Sequence, residues 1–245
     1  MGCNMGVNIG SGITIEPGIT ISDVGAPLGN YTLFFGTKSP TLGPVGQNPF
    51  PANGWTSIAA ASADDTFATV SLPFTWTYNN TGYTSFYPGS NFYITFGVGS
   101  SVFSGLSASN PGYNKIFFGG ADNSWQRVSR ITSGTDYLRL RHEGTNSTSG
   151  RVGTPNMVYE ITFFNPANTG NVPVFELLVG AQARGTATAG IISGLYSNTA
   201  LLTGGSLGPY PNRGVAVNQS YVAVGNSTGT SWTIYTGYYL GGTGY

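Results

Sequence analysis

Apolar and polar positions alternate along most of this chain with a period of two. In Pro73–Tyr78, Phe74, Trp76 and Tyr78 share one face and Thr75 and Thr77 the other, the pattern of a half-buried strand. Similar short β-branched or aromatic runs, punctuated by Gly, Pro, Asn and Ser, predict strands throughout. Tyr31–Phe35 and Phe67–Leu72 precede that run. A turn at Asn79–Gly82, a strand at Tyr83–Tyr87, a turn at Pro88–Asn91 and a strand at Phe92–Phe96 follow it. In the last of these, Phe92, Ile94 and Phe96 share a face. Three longer strands are predicted at Asp136–Glu143, Met157–Phe164 and Val172–Gly180, and shorter ones at Val215–Val217, Tyr221–Val224 and Trp232–Tyr235. Only the Ala-rich Ser57–Ser62 suggests helix, one or two turns of it. The expectation is an all-β protein: a β-sandwich or jelly-roll-like core over residues 26–190, and a C-terminal extension, 191–245, completing or flanking it. The Gly/Tyr tip from Gly237 to Tyr245 is too poor in aliphatics to read as core, so it is expected to be a terminal strand or a contact segment.

The first 25 residues have a different period. Gly6–Asp23 divides into three sixes, GVNIGS, GITIEP and GITISD. Each holds a Gly, a β-branched residue, a small polar residue, Ile and two turn-like residues. Hexads of this kind build β-helices, but a coil takes about 18 residues and a repeat fold about three stacked units. Three hexads make one coil with nothing to stack on. Their apolar residues, Val7, Ile9, Ile13, Ile15, Ile19 and Ile21, would be a liability if left bare at a terminus. The expected role is an assembly or docking arm that adds strands to another chain; the alternative is a pair of ordinary terminal strands of the domain itself.

Composition narrows the class. Charged residues are 7% of the 245 and aromatics 13%, with 38 glycines. Richness in aromatic and β-branched residues argues against disorder, and no apolar run reaches the length of about 18 residues that a spanning helix needs. Membrane insertion is therefore not expected. Lys+Arg and Asp+Glu balance at nine each, which removes the basic footprint of a nucleic-acid binder. Most charges fall between Lys115 and Arg184. If the three long strands are neighbours, Arg139 and Arg141 could form a cross-strand ladder with Glu160 and Glu176, each pair contributing roughly 0.2–1 kcal/mol; the other reading is a solvated face with loose pairs. Cys3 is the single cysteine, so no intrachain disulfide is possible. The start MGCNMG has neither the basic nor the apolar region of a signal peptide, and the expected route is synthesis in a cytoplasm without conventional export.

A search for catalytic chemistry yields little. His142, the one histidine, alternates with Leu138 and Leu140 and reads as a half-buried strand residue. Gly225–Gly229 matches the letters of G-x-S-x-G, but its flanks are strand-like on both sides, whereas that motif needs a strand followed by a helix; it reads as a hairpin loop. One Cys and one His cannot supply a structural zinc site. Asp64–Asp65 is either a calcium candidate or a strand-entry turn. No cofactor is expected. Trp55, Trp125 and Tyr210 lie in Gly/Pro/Asn-rich contexts and are the candidate ligand or interface aromatics, able to stack on a host-surface glycan or anchor a contact. For Trp125, beside Arg127, plugging one end of a sandwich is the stronger reading.

The stretch LPFTWTYNNTGYTSFYPGSNFYITFG, Leu72 to Gly97, resembles a run found in nidogen-like β-domains of bacterial and viral proteins. KIFFGGADNSWQRVSR and DYLRLRHEGTNSTSGRVGTPNMVYEITFF resemble structural proteins of tailed phages, those of cyanobacteria in particular, in which G-I-T-I repeats often precede the β-domain. The likeness covers roughly residues 6–25 and 65–185; Phe92 departs from it, standing where Gly is usual. It implies a non-enzymatic virion protein, a tail, fibre or baseplate component that forms homo-oligomers, trimers by expectation, and meets other virion proteins. A capsid decoration protein whose arm clamps the shell is the alternative. A carbohydrate-active enzyme, the third class, would need a carboxylate pair facing a groove, drawn from Asp64, Asp65, Asp122, Glu143, Glu160 and Glu176.

Overall fold

The computed structural model describes residues 28–36, 56–58, 64–91, 93–101, 114–117, 124–145, 157–182, 196–197 and 219–241. These hold fourteen strands and no α-helix. In chain order they are β1 (Thr32–Phe35), β2 (Thr56–Ser57), β3 (Val70–Tyr78), β4 (Thr81–Gly89), β5 (Tyr93–Phe96), β6 (Asn114–Phe117) and β7 (Ser124–Ser133). After them come β8 (Tyr137–Thr145), β9 (Met157–Phe164), β10 (Val174–Gln182), β11 (Tyr196–Ser197), β12 (Gln219–Gly225), β13 (Trp232–Thr236) and β14 (Tyr238–Gly241). One sheet has the order β13-β12-β10-β9-β8-β7-β2, a second β11-β6-β5-β4-β3, and β1 pairs with β14 in a two-stranded ribbon. Every strand pairing is antiparallel.

Local chemistry explains the turns. Asn79 and Asn80 both take positive φ, 49° and 63°, as a two-residue type I′ hairpin demands and as Asn tolerates. The turn is therefore shorter than the predicted Asn79–Gly82, and β4 starts at Thr81. Pro73 sits inside β3, where the register with β4 shifts between Ser71 and Trp76; such an irregularity accommodates a residue that cannot donate to the ladder. The predicted turn at Pro88–Asn91 is also shorter, because β4 runs through Gly89 and Pro88 stands opposite Ile94.

The alternation read in the sequence becomes the core. Val70, Leu72, Trp76, Tyr78, Phe86, Ile94 and Phe96 of the five-stranded sheet form one apolar cluster with Leu138, Leu140, Ile161, Phe163, Phe175 and Leu177 of the seven-stranded sheet. Trp76 is fully buried at its centre. Its ring meets Phe163 edge-on at 4.8 Å and stacks with Phe96 at 5.5 Å and Trp232 at 5.7 Å. Burial is not confined to one face. In β5 all four residues are buried. The other face of the seven-stranded sheet carries a second cluster, in which Phe164, Val174 and Val222 meet Tyr31, Leu33 and Leu240 of the ribbon region.

Several expectations change. Ser57 belongs to strand β2, paired with Ser129, and not to a helix; most of the Ala-rich stretch, like Phe92 and Val215–Val217, lies outside the described residues. β7 was not foreseen as a strand, because SWQRVSRITS is mostly polar, yet it pairs with β8 from Ser124 to Ser133. The Gly/Tyr tip does include a core residue, Leu240, which is fully buried.

The sheets are also tied at a loop. Gly229, in the turn joining β12 to β13, has φ +63° and lies against the β3–β4 turn; a Cβ there would sit 2.6 Å from the Thr77 carbonyl oxygen. Asn79 N–H donates to the Gly229 carbonyl at 3.1 Å and Asn80 N–H to that of Thr228 at 2.8 Å. Gly229→Ala is thus strained twice, in its dihedral and by contact with backbone. We expect it to lower the unfolding free energy by about 1–3 kcal/mol in urea melts; an unchanged midpoint would show that the two turns are not coupled.

Candidate functional site

The β1–β14 ribbon is the described region where apolar side chains are most openly displayed. Its register sets Leu33 opposite Leu240, Phe34 opposite Tyr239 and Phe35 opposite Tyr238. Side chains alternate across a strand. Leu33 and Leu240 point into the second apolar cluster, so Phe34 and Tyr239 lie on the ribbon's other face, their rings stacked at 5.5 Å. Phe35 reaches past the cluster and meets Tyr238 edge-on at 5.2 Å, and Tyr238 meets Tyr235 at 5.7 Å. Phe34 is 44% exposed and Phe35 73%; the tyrosines are half-buried.

Specific bonds hold the ribbon to the seven-stranded sheet. Gly237, at φ +77°, turns the chain out of β13 into β14. Its N–H donates to the Ser220 carbonyl at 2.8 Å, and Gly36 N–H donates to the Gly237 carbonyl at 2.8 Å. Leu240 N–H donates to Oε1 of Glu176 at 2.9 Å, so a buried carboxylate satisfies a backbone donor on the edge of β14 away from β1. At the other end, Asn30 N–H donates to the Asn168 carbonyl at 2.8 Å, and Tyr31 packs edge-on against Phe164 at 4.8 Å. Burial, reinforced by the negative charge of Asp136, pushes the Tyr31 hydroxyl up to about 12.

Beneath this ribbon side of the sheet lies a buried charge network. Arg141 stands opposite Glu160 in the β8–β9 register. Its Nη1 donates to Glu160 Oε1 at 2.8 Å and its Nε to Glu143 Oε1 at 2.8 Å. The three side chains are no more than 4% exposed. Arg139 is opposite Thr162 and donates to its hydroxyl at 3.0 Å. The solvated-face reading is therefore overturned. The ladder is real but offset: Glu176 stands opposite Thr162, and Glu160 opposite Leu178. Burial pushes the Glu160 carboxyl above the usual carboxylate range, against the pull of Arg139 and Arg141 and with a smaller push from Glu176. Desolvation outweighs attraction there.

The other candidates are placed as follows. Trp125 belongs to a strand, β7, opposite Gly144 and beside a register shift before Arg127, where its Asn/Ser surroundings had suggested a loop. Trp55, Tyr210, Asp122 and the arm residues Val7, Ile9, Ile13, Ile15, Ile19 and Ile21 lie outside the described residues. Glu143, Glu160 and Glu176 are buried and engaged as above. Asp64–Asp65 forms a bend in which Asp65 has φ 44°, its Oδ1 accepts from Asn91 Nδ2 at 3.2 Å, and Thr66 and Ser90 bond to each other. Among the described residues no three His, Cys, Asp or Glu side chains gather closely enough to hold a metal ion. The G-x-S-x-G letters fall in the β12–β13 hairpin, where the Asn226 side-chain oxygen accepts from the N–H of Thr230 at 2.9 Å. His142 is buried on the inner face of β8, and desolvation lowers its imidazole to about 3.

Sequence reasoning missed the ribbon as a site. Phe34–Phe35 read as the end of a strand, and the aromatic tip as a separate segment; their juxtaposition spans two hundred residues and leaves no local signal. No family model matches the chain, and no curated protein or solved structure matches it either.

Proposed function

We propose that the chain is a non-enzymatic structural protein of a phage virion, a tail, fibre or baseplate component that assembles as a homo-oligomer through its N-terminal hexads. In this reading the five- and seven-stranded sheets stack as a β-sandwich around the cluster centred on Trp76, and that core projects from the assembly. The oligomer is a trimer. The observation that carries the reading is the aromatic display on the ribbon. Phe34 and Phe35 are exposed on the described strand that follows the repeats most closely, and large aromatic side chains left open to solvent on both faces of one ribbon support a role in protein contact. The resemblance of Lys115–Arg130 and Asp136–Phe164 to structural proteins of tailed phages supports the virion setting.

Light scattering after size exclusion tests the assembly. The full chain is expected at trimer mass. The full chain carrying Ile13→Asp, Ile15→Asp and Ile19→Asp is expected at monomer mass with the same melting midpoint. Equal masses would remove the assembly role, and loss of the core transition would place the hexads inside the domain. Antibody labelling of purified particles tests the setting; particles without the protein would end the virion reading.

A further inference from the structure

We infer that the free edge of β13, Trp232–Thr236, pairs antiparallel with the same strand of a second copy of this chain, about a two-fold axis through Ile234. This goes beyond the assembly reading above: it uses a different surface and does not depend on the hexads.

Four strands end the two large sheets, β13 and β2 in one, β11 and β3 in the other. β2 and β11 are two residues long, too short to template another strand. β3 carries Pro73 and a register irregularity, and just past its end the N–H groups of Asn79 and Asn80 donate to carbonyls of the β12–β13 turn. Short strands, prolines and irregularities are the devices that keep sheet edges from pairing. β13 has none of them. Its five residues, WTIYT, include no charge, proline or glycine, and every one is β-branched or aromatic, the types that favour strands. Thr233 is exposed, and Trp232, Ile234 and Tyr235 are half-buried.

The backbone of this edge is turned outward at defined residues. Asn226 N–H donates to the Ser231 carbonyl at 2.9 Å and Gly237 N–H to the Ser220 carbonyl at 2.8 Å. These two bonds bracket a ladder that runs from Gly225 opposite Trp232 to Tyr221 opposite Thr236. Bonded and non-bonded pairs alternate along an antiparallel ladder, so Thr233 and Tyr235 bond to Val224 and Val222. Trp232, Ile234 and Thr236 then direct their N–H and C=O groups away from β12. Among the described residues no strand pairs with that side of β13.

The register selects a second copy as the occupant. Pairing centred on Ile234 sets that residue opposite itself, and Trp232 opposite the second copy's Thr236. All the outward-facing residues then fall at bonded positions and exchange about six backbone hydrogen bonds. Thr233 falls opposite the second copy's Tyr235 at the non-bonded positions, where side chains approach closest. Both of those pairs set an aromatic ring against a β-branched residue, a favourable cross-strand combination. A charged strand would meet its own charge across the axis, and β13 carries none. The two-fold axis stands perpendicular to the sheet, so the faces match: Trp232 and Ile234 pack on the Trp76 cluster and Tyr235 on the cluster of the ribbon side. On that second face the Tyr235 ring meets Tyr238, and Tyr238 meets Phe35, which is 73% exposed. Apolar surface therefore continues beyond the strand. An isologous contact of this kind closes at two copies. Pairing of one five-residue strand buries less than a stable interface needs, so a dilute chain with a disabled arm stays at monomer mass, and the contact gains strength where several copies are held together.

Cross-linking in the full-length protein tests this. Cys3 is the only native cysteine and is replaced by Ser throughout. One tagged chain carries Thr233→Cys and a second, differently tagged, carries Tyr235→Cys. Both are made with the native arm and with Ile13→Asp, Ile15→Asp and Ile19→Asp. After mixing at high concentration and mild oxidation, a heterodimeric disulfide is expected in both backgrounds. Its yield should exceed about tenfold that obtained when the second chain carries Ser227→Cys instead, in the exposed β12–β13 turn. Cross-links that need the native arm would show that the hexads, not the edge, bring the copies together. Equal yields at Ser227 would show random collision, and no disulfide would show no pairing. Each of these overturns the edge contact and leaves the assembly reading as it stood. Trimer mass is read separately: its absence in the native-arm chain, with the disulfide still formed, would overturn the assembly reading alone. As a second readout, Thr233→Lys is expected to weaken the concentration-dependent dimerisation of the arm-disabled chain about tenfold in sedimentation equilibrium, with the melting midpoint unchanged, because an edge lysine opposes strand pairing. Dimerisation unaltered by the lysine would also overturn the proposal.

Discussion

Arg141→Met is expected to lower the unfolding free energy by about 3–5 kcal/mol, the cost of stranding a buried charge. The guanidinium is 1% exposed and bonds Glu143 and Glu160 at 2.8 Å each. Methionine keeps most of the volume, so the loss is one of charge and hydrogen bonds more than of packing. Glu160 would keep only Arg139 among the two arginines that now draw its proton off. Two further measurements separate this from a cavity effect. Adding Glu160→Leu should restore much of the loss, because replacing a buried ion pair by apolar side chains is often neutral or better. Acid should help the single variant. Glu160 has a folded value already raised above its unfolded one, so its contribution is complete below about 4.5 and is lost as pH rises through the folded value. Without Arg141 that folded value rises further, and the deficit should shrink as pH falls from 7 toward 5. Urea melts across that range decide it. A single variant within about 1 kcal/mol of the parent, or a deficit that does not vary with pH, would show that Arg141 is not the charge that makes Glu160 tolerable.

The network also shows where reading the sequence stops. Period two was enough to find Phe74, Trp76 and Tyr78, and Leu138 and Leu140, because one face of each strand is apolar and enters the cluster. It could pair Arg141 with Glu160 only conditionally, and it could not bury them. Charge in a strand ordinarily means water, and the ribbon that shares this face comes from Thr32–Phe35 and Tyr238–Gly241, at opposite ends of the described chain. Nothing local in Glu176 announces that its carboxylate meets the Leu240 N–H. β7 failed for the opposite reason: its polar residues hide a long strand that only the partner β8 reveals. The aromatic ribbon was missed because each half of it looked like a strand end. The β7–β8 hairpin is local and was hidden by composition alone; the burial of the charges and the exposure of the ribbon's rings were illegible because long-range pairing decides them.

The second large effect concerns acid. The full chain is expected to lose on the order of 4 kcal/mol between pH 7 and pH 3.5 through His142 alone, from a slope of about 1.4 kcal/mol for each pH unit. The imidazole lies on the inner face of β8, 1% exposed, opposite Tyr159 of β9 and Val128 of β7. Burial holds its folded value near 3, against an ordinary 6.5. Between those limits the unfolded chain takes up a proton that the folded chain refuses, so stability falls as pH falls. Glu160 acts the other way over the upper part of this range, since its raised carboxyl favours the folded state on protonation. The raw pH curve is therefore the wrong test, and the difference from a His142→Leu variant is the right one. Leucine has no charge to take up and suits a face it would share with Leu138, Leu140 and Ile161. Subtracting the two sets of urea-unfolding free energies cancels Glu160 and every other group. The remainder should be flat above pH 7 and slope through the window from 6.5 to 3, with the parent the more acid-sensitive. Parallel curves would mean that the folded protein protonates His142 as readily as the unfolded chain does. That would require β8 to open at the histidine without the core unfolding, and amide exchange at Leu140 and Arg141 would then be fast under the same acid conditions.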